Sequence, residues 1–285
     1  MDKDEAMRKT MRKELEYAIS NNQFFFEYQP IANLSTGYIE GIETLIRWHH
    51  PERGSILPSG FIPLAEKLDF SEQIFSHVIE VSCKFAQDVS RHIQLPQQNL
   101  TLALNLSASQ LTNQTFSDTL LEKIQNQGMS PSTVELEMTS AGLADLSGAA
   151  TTVMHDLWSK GFTLVVDDFG SGQLPIDKLI KSAINKIKIN RKLVNQLDKD
   201  ERTQNVIRSV IALCKREGIT VCASGVENAE QLSILRDCGC DQAQGYYIAK
   251  PMPRKKLITW VHQNGAKIKA ENENTESGED NQKAA

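Results

Sequence analysis

The sequence predicts an α/β protein that folds as a TIM-like (β/α)8 barrel. Its 285 residues, 40% of them hydrophobic, are enough to build one such barrel. No Gly-x-Gly-x-x-Gly turn follows a strand-like run, which disfavours an open doubly wound sheet. Eight strand-like runs, mostly separated by segments long enough for a helix, lie near residues 24–28, 38–48, 100–106, 133–138, 162–168, 184–190, 219–223 and 243–248.

The two ends of the chain are expected to differ from the barrel domain between them, residues 23–264. Residues 265–285 are rich in Glu, Asn, Asp, Lys and Ala and have no apolar period, so we expect a disordered acidic tail. Apolar residues recur at helical spacing over residues 1–22, which predicts an amphipathic helix packing on the barrel: Met7, Met11, Leu15, Ala18 and Ile19.

Composition argues against several classes of protein. A net charge of -5 and a pI of about 5.8 argue against direct nucleic-acid binding, which needs clustered Lys and Arg. No apolar run reaches membrane-spanning length and the first residues lack a signal-peptide core, so we expect a cytoplasmic protein without a membrane segment. The five cysteines include no Cys-x-x-Cys pair and are expected to be reduced core thiols.

Polar and acidic residues follow several of the predicted strands, where barrel proteins build their sites. Carboxylate and amide oxygens are the ligands that Mg²⁺ and Mn²⁺ prefer, so the group indicates a metal or catalytic site. Each member has a structural alternative: Asn105 in a loop hydrogen bond, Glu137 in an ion pair with a lysine, or Asp168 as a turn cap. The residues are Glu43, Asn105, Glu137, Asp167, Asp168, Asn190, Ser224 and Gln244.

A series of short motifs over residues 12–262 gives the most specific indication. They are Tyr28-Gln29-Pro30-Ile31, Glu43-Thr44-Leu45 with Arg47-Trp48, Phe61-Ile62-Pro63-Leu64-Ala65-Glu66, Asn105-Leu106-Ser107, Glu137-Met138-Thr139, Asp167-Asp168-Phe169-Gly170, Lys188-Ile189, Gly225-Val226-Glu227 and Gln244-Gly245-Tyr246. With these motifs in this order, the chain resembles the EAL-domain family, bacterial (β/α)8 phosphodiesterases that use two divalent metals to linearise cyclic di-GMP.

The resemblance implies a role for each matching position. Lys188 would orient the attacking water, with Glu43 as a second catalytic residue. Arg47 suits a ligand phosphate because its planar fork donates paired hydrogen bonds. The implied ligand-binding residues are Gln29, Leu45, Arg47, Asn105, Asn190, Gln244 and Gly245, and the implied ligands of Mg²⁺ or Mn²⁺ are Glu43, Asn105, Glu137, Asp167 and Asp168.

Three positions depart from the family pattern by losing a carboxylate. Ser140 stands where the family has a Glu that tethers the loop after the paired aspartates, and Asn190 stands where an acid follows Lys-Ile. Ser224 stands where a metal-binding Glu precedes Gly225-Val226-Glu227. A neutral hydroxyl is a weak ligand for a hard divalent cation, so the second metal is expected to bind poorly and hydrolysis to be impaired.

These departures lead to three functional hypotheses. The first is a degenerate EAL protein that has lost all or nearly all phosphodiesterase activity and binds cyclic di-GMP, a partner protein or both. The second is an active metal-dependent phosphodiesterase that produces linear pGpG. The third is an interaction module that controls a partner, such as a transcriptional regulator, without nucleotide. A homodimer is compatible with each of them.

Overall fold

The structure is a computed structural model that describes residues 3–92, 100–144, 148–172, 174–264 and 267–268. Its strands are β1 (Phe24–Asn33), β2 (Ile39–His50), β3 (Gly54–Ile56), β4 (Thr101–Asn105), β5 (Val134–Thr139), β6 (Thr163–Phe169), β7 (Lys186–Ile189), β8 (Thr220–Ser224) and β9 (Gln242–Gln244). Its helices are α1 (Lys3–Ser20), α2 (Pro58–Lys67), α3 (Ser71–His92), α4 (Phe116–Asn126), α5 (Ser140–Ala144), α6 (Gly148–Ser159), α7 (Ile176–Lys181), α8 (Arg191–Val194), α9 (Glu201–Arg216), α10 (Ala229–Asp237) and α11 (Arg254–Asn264).

Eight of the strands close into a barrel, which confirms the predicted fold class. The hydrogen-bonded order is β1-β9-β8-β7-β6-β5-β4-β2, and β1 also pairs with β2 to complete the ring. The strands from β4 to β9 and β2 pair in parallel, but β1 runs antiparallel to both of its neighbours. The reversal of β1 follows from its direct connection to β2, since antiparallel strands can be joined by a short turn and parallel strands need a crossover.

The alternation of side chains along each strand separates two environments. On β2 the even positions face the surrounding helices, and Trp48 packs against Phe61 of α2 with ring centroids 5.8 Å apart. The odd positions, which include Glu43, face the interior. A small apolar cluster consists of Ile31, Ala103 and Cys222. Each of these residues is two positions from a polar residue on the same strand, so it shares a strand face with Gln29, Asn105 or Ser224 respectively.

The segments outside the barrel are partly described. Helix α1 buries Leu15 and Ala18 completely, as its apolar spacing predicts. The predicted disordered tail lies outside the described residues except for Lys267 and Ile268. The backbone N–H of Ile268 donates to the carbonyl of Gly37 at 2.8 Å, so these two residues lie against the turn between β1 and β2.

The predicted strands match the observed ones with two differences. Strand β3 was not predicted, and it extends the outer end of β2 through pairs such as Trp48 with Ile56. The run near 243–248 forms only the three residues of β9, because the chain turns at Gly245, where an added Cβ would lie 2.2 Å from the backbone of Val226. All five cysteines are buried and unpaired. Among the described residues, no helix is long and apolar enough to cross a membrane.

Candidate functional site

Six strands deliver polar side chains to one point in the barrel interior. The side chains on β4, β5, β7 and β9 lie near the carboxyl ends of their strands, and Gln29 of the antiparallel β1 lies at the same level. Glu43, expected at a strand end, lies within β2 instead, because β2 continues beyond its pairing with β4 to pair with β3. Register brings them together, since Gln29 pairs with Glu43 across β1 and β2, and Asn105 pairs with Glu137 across β4 and β5. The group consists of Gln29, Glu43, Asn105, Glu137, Lys188 and Gln244.

Lys188 is the centre of this network. Its Nζ lies 2.9 Å from Glu43 Oε2 and 2.9 Å from both carboxylate oxygens of Glu137. The lysine and Glu137 are almost completely buried, and Glu43 is 7% exposed. A buried ammonium between two carboxylates compensates charges that would be costly alone.

Amide side chains complete the environment of Glu43. Asn105 Nδ2 donates to Glu43 Oε1 at 3.0 Å, and Gln244 Nε2 donates to Glu43 Oε2 at 2.7 Å. Gln244 Nε2 also lies 3.1 Å from Gln29 Oε1, while Gln29 Nε2 donates to the carbonyl of Ala249 at 3.0 Å. Both Glu43 oxygens are therefore engaged, and the two glutamines link β1 to β9.

The three site carboxylates differ in their protonation tendency. Although burial opposes ionisation, the Lys188 ammonium and the hydrogen bonds from Gln244 and Asn105 lower the pKa of Glu43. Burial and the neighbouring Glu43 charge raise the pKa of Glu137 well above its usual value despite Lys188. Burial also raises the pKa of Asp167, against the attraction of Lys188. Burial lowers the pKa of Lys188, but Glu137, Glu43 and Asp167 outweigh it and raise that pKa well above the usual value.

A second buried ion pair lies one layer below the site and was missed by the sequence analysis. Lys186 Nζ is 2.7 Å from Glu135 Oε2, and both side chains are buried. The pair follows from alternation, because Lys186 and Glu135 precede Lys188 and Glu137 by two residues on the same strand faces. The Lys-x-Lys pattern at residues 186–188 and the Glu-x-Glu pattern at residues 135–137 are the sequence features from which this pair could have been predicted.

The paired aspartates lie at the end of β6. Asp168 has a φ of +55°, a left-handed conformation that Asp tolerates better than most residues, and its backbone N–H donates to Asp167 Oδ1 at 2.8 Å. Asn190 Nδ2 donates to Asp168 Oδ1 at 3.1 Å. The carboxamide at 190 therefore binds Asp168, where an acid would repel it.

Ser140 contacts the loop that follows the aspartates. Its hydroxyl lies 3.2 Å from the carbonyl oxygen of Asp168 and 2.8 Å from the hydroxyl of Ser171. Ser140 is 1% exposed. The shorter side chain thus reaches this loop directly, a contact that the sequence analysis did not foresee.

Ser224 is in a different situation at the end of β8. Its hydroxyl oxygen is buried without a hydrogen-bond partner among the described residues. The nearby acid Glu227 is exposed, and its Oε1 accepts from Arg191 Nε at 3.0 Å and from Asn195 Nδ2 at 3.3 Å. Glu227 is thus paired with Arg191, and no hydrogen bond joins it to Ser224 among the described residues.

The remaining ligand-binding candidates lie along β2 and β9. Leu45 lines a cavity of about 520 Å³ together with Glu43 and Asn105. Arg47 donates from Nε to Glu27 Oε2 at 2.9 Å and from NH1 to the carbonyl of Ile46 at 3.0 Å. Glu27 was not among the sequence candidates. Gly245 packs on the backbone of Val226, which gives it a clear structural reason to lack a side chain.

The donor set fits one divalent cation better than two. Glu43, Asn105, Glu137 and Asp167 offer the oxygen types that Mg²⁺ or Mn²⁺ prefers. Glu43 and Glu137 accept from Lys188, Glu43 also accepts from Asn105 Nδ2, and no three acidic, histidine or cysteine side chains in the described ranges are grouped to hold an ion. A second ion would face the neutral Ser224, so the residues do not fit it.

Comparisons with known proteins agree with this architecture. The EAL domain family matches residues 12–251. An uncharacterized signaling protein of Caulobacter vibrioides is 33% identical over 261 residues, 92% of this chain and 31% of its own length. The cyclic di-GMP phosphodiesterase RocR of Pseudomonas aeruginosa is 32% identical over 244 residues, 85% of this chain and 61% of its own.

Solved structures resemble the whole barrel. The EAL enzyme Bd1971, in a form with cAMP and cyclic di-GMP bound, superposes with a TM-score of 0.83 at 26% identity, covering 91% of this chain and 70% of the other. The PaMucR phosphodiesterase in complex with c-di-GMP gives a TM-score of 0.79 at 28% identity, covering 87% and 99%. The chain spans about a third of the length of the first curated relatives it matches, 31% and 30%.

Proposed function

The chain belongs to the EAL domain family, and we propose that it acts in cyclic di-GMP signalling by binding the nucleotide, with hydrolysis lost or nearly lost. Relatives that cover most of this chain include a cyclic di-GMP phosphodiesterase and a phosphodiesterase in complex with c-di-GMP. These relatives support the ligand class. The residues of this chain decide which part of the family's chemistry we expect to remain.

The observation that carries the proposal is the buried hydroxyl of Ser224, which has no hydrogen-bond partner in the part of the chain that the structure describes. A second divalent cation needs an anionic oxygen at this place, and Ser224 supplies a neutral one. When bound, Mg²⁺ or Mn²⁺ would lower the pKa of a water molecule and stabilise the leaving oxygen of a phosphodiester. Without a complete second site, we expect the attacking water to be poorly activated.

The same substitutions favour binding without metal. A carboxylate about 6 Å from a ligand phosphate, at an effective dielectric constant near 20, repels it by about 3 kcal/mol before screening. Cyclic di-GMP carries two negative charges, and Asn190 and Ser224 remove two carboxylates from the mouth of the site. The nucleotide therefore needs less neutralisation by metal than it would in a fully acidic site.

Side chains around the site are expected to recognise the nucleotide. We expect Arg47 to bind a phosphate oxygen through terminal N–H groups that its bonds to Glu27 and the Ile46 carbonyl do not use, and Leu45 to contact the nucleotide from the wall of the 520 Å³ cavity. Gln29, Asn105 and Gln244 already form a connected polar network around Glu43, which orients donors and acceptors before ligand arrives. Asn190 offers a neutral amide beside Asp168.

An active phosphodiesterase is the second candidate, and one observation favours it. Lys188 Nζ lies 2.9 Å from both Glu43 and Glu137, so the residue that would orient the attacking water and two of the first-metal carboxylates are assembled at one point. If this candidate is correct, Lys188→Ala or Glu43→Ala abolishes turnover and Ser224→Glu raises it.

Titration with cyclic di-GMP in buffer containing a metal chelator tests the binding proposal. We expect saturable binding by the wild-type protein and about 30-fold weaker binding by Arg47→Ala, because a charge-assisted hydrogen bond to phosphate is lost. Arg208→Ala is the matched control, since Arg208 is an exposed residue of α9 on the outside of the barrel. Absence of binding by the wild type, or equal binding by all three proteins, contradicts the proposal.

A further inference from the structure

One face of the β1–β2 ribbon continues outward from the site. The antiparallel register pairs Gln29 with Glu43, then Glu27 with Leu45, and then Phe25 with Arg47. Because side chains alternate along a strand, these six residues share a face. Glu27 is therefore the only acid between the Glu43 level and Arg47 on this face of the ribbon.

Arg47 reaches diagonally across the ribbon to Glu27. Its Nε lies 2.9 Å from Glu27 Oε2, and the two side chains are 12% and 26% exposed. Partial burial strengthens the interaction relative to a fully exposed ion pair, because less water screens it. The bond from Arg47 NH1 to the Ile46 carbonyl fixes the plane of the guanidinium at a second point.

This arrangement leaves part of the guanidinium for another anion. A guanidinium has five N–H groups, and within the described residues two of them are used, by Glu27 and by the Ile46 carbonyl. The remaining N–H groups belong to the terminal nitrogens, which form the fork that suits a phosphate. Any phosphate bound there shares the positive charge of Arg47 with the Glu27 carboxylate.

We propose that Glu27 is a positioning and specificity-determining residue that orients Arg47 and, through its negative charge, lowers the affinity of this site for anionic phosphates. The inference rests on the proposed function, in which Arg47 contacts the nucleotide. Glu27 acts as an internal competitor for the guanidinium. The site therefore binds phosphate ligands more weakly than its geometry alone would allow.

The charge and the hydrogen bond of Glu27 can be separated by substitution. Glu27→Gln keeps a carbonyl oxygen that accepts from Arg47 Nε but removes the charge, so the affinity for phosphate ligands is expected to rise about fivefold at low salt. Glu27→Ala also removes the acceptor, and its gain is expected to be smaller because Arg47 must then be ordered on binding. A purely structural role predicts the opposite sign, weaker binding in both variants.

The experiment measures the affinity of the full chain for pyrophosphate and, separately, for cyclic di-GMP. It is done at about 0.05 M and about 0.5 M NaCl, because at the higher concentration the screening length falls to a few ångströms and the gain should shrink. Glu122→Gln is the matched control, since it removes an equal charge from an exposed position on the outer helix α4.

Tighter pyrophosphate binding by Glu27→Gln at low salt, with Glu122→Gln like the wild type, supports the inference. Pyrophosphate affinity that is unchanged or weaker in Glu27→Gln overturns it, whatever happens with cyclic di-GMP. If Glu27→Gln tightens pyrophosphate binding and no variant binds cyclic di-GMP, the role of Glu27 stands and the proposed function fails.

Discussion

Two groups of polar side chains at the barrel mouth differ in how their charges are compensated. In the first group, from β2, β4, β5 and β7, Lys188 lies 2.9 Å from Glu43 and from Glu137, and Asn105 adds a further bond. In the second group, at the ends of β6, β7 and β8, Asp168 accepts from the neutral Asn190, and the Ser224 hydroxyl has no hydrogen-bond partner among the described residues. We call the first group, a closed network of charges, the charged side of the site, and the second group, in which Asn190 and Ser224 are neutral, the neutral side.

This difference teaches that stability constrains the two groups of side chains to different degrees. The charged side is costly to lose, because removing one member leaves another buried charge unpaired. The neutral side has no such constraint, since a serine or asparagine there leaves no buried charge behind. Stability therefore protects the first side, while the second side is free to change with function.

Loss of Lys188 should break the charged side most severely. Lys188→Met leaves Glu43 and Glu137 facing each other without a cation, and we expect the free energy of unfolding to fall by about 3–5 kcal/mol at neutral pH. Urea denaturation measures this change. Lys256→Met, on the exposed face of α11, is the control and should change stability little. A small effect at Lys188 would show that the network does not stabilise the barrel.

The two glutamates should respond to pH in opposite directions. The lowered pKa of Glu43 gives stability that is present above its usual pKa and is lost as pH falls through the folded value. Glu43→Gln should therefore cost about 2 kcal/mol at about pH 7 and less at about pH 4.

The pKa shift of Glu137 has the opposite sign to that of Glu43, so its contribution to stability changes with pH in the opposite direction. Its raised pKa gives stability that is fully present below the usual pKa and is lost as pH rises through the folded value. The free energy of unfolding of Glu137→Gln, relative to that of the wild type, should therefore increase as pH rises from about 4 to about 8. Denaturation curves over this range test both variants, and parallel pH profiles for the two would contradict the assignment.

A carboxylate at position 224 should sharpen the contrast between the two sides. Ser224→Glu places a negative charge in the neutral side, so metal-free binding of cyclic di-GMP is expected to weaken about tenfold. Conversion to the linear product in Mn²⁺ should rise. Ser224→Gln, which has nearly the same size without the charge, is the control. Equal behaviour of the two variants would show that charge at 224 is not the decisive property.

The smallest expected effect concerns the loop after the aspartates. Ser140→Ala removes the hydroxyl that contacts the Asp168 carbonyl and Ser171, which should cost about 1 kcal/mol. Backbone hydrogen exchange of residues 168–172 should become faster, while exchange in α9 should not change. Unchanged protection of the loop would mean that Ser140 does not hold it.

The sequence predicted the barrel and the central site because both leave local signals. Apolar runs marked the strands, and polar residues such as Asn105 and Asp167 marked positions near their ends. The partners of those acids were harder to foresee. The bond between Glu27 and Arg47 depends on the antiparallel register of β1 and β2, and the pair of Lys186 with Glu135 depends on β5 and β7 lying on either side of β6.

Other features are set by fine geometry that no residue pattern encodes. The contact of Ser140 with the Asp168 carbonyl joins two distant segments of the chain, and Asp168 has a left-handed backbone conformation there. The end of β9 depends on the close approach of Gly245 to Val226, and β3 depends on the extension of β2 beyond the barrel. In each case a tertiary contact overrides or extends the local preference.

The most direct test of the account is to incubate the purified chain with cyclic di-GMP and Mg²⁺ or Mn²⁺, and to quantify the linear product by chromatography beside a calorimetric titration. The account predicts saturable binding heat with the cyclic nucleotide left intact. Sustained conversion to the linear dinucleotide, at a turnover on the order of 1 per second, would contradict it and establish the chain as an enzyme.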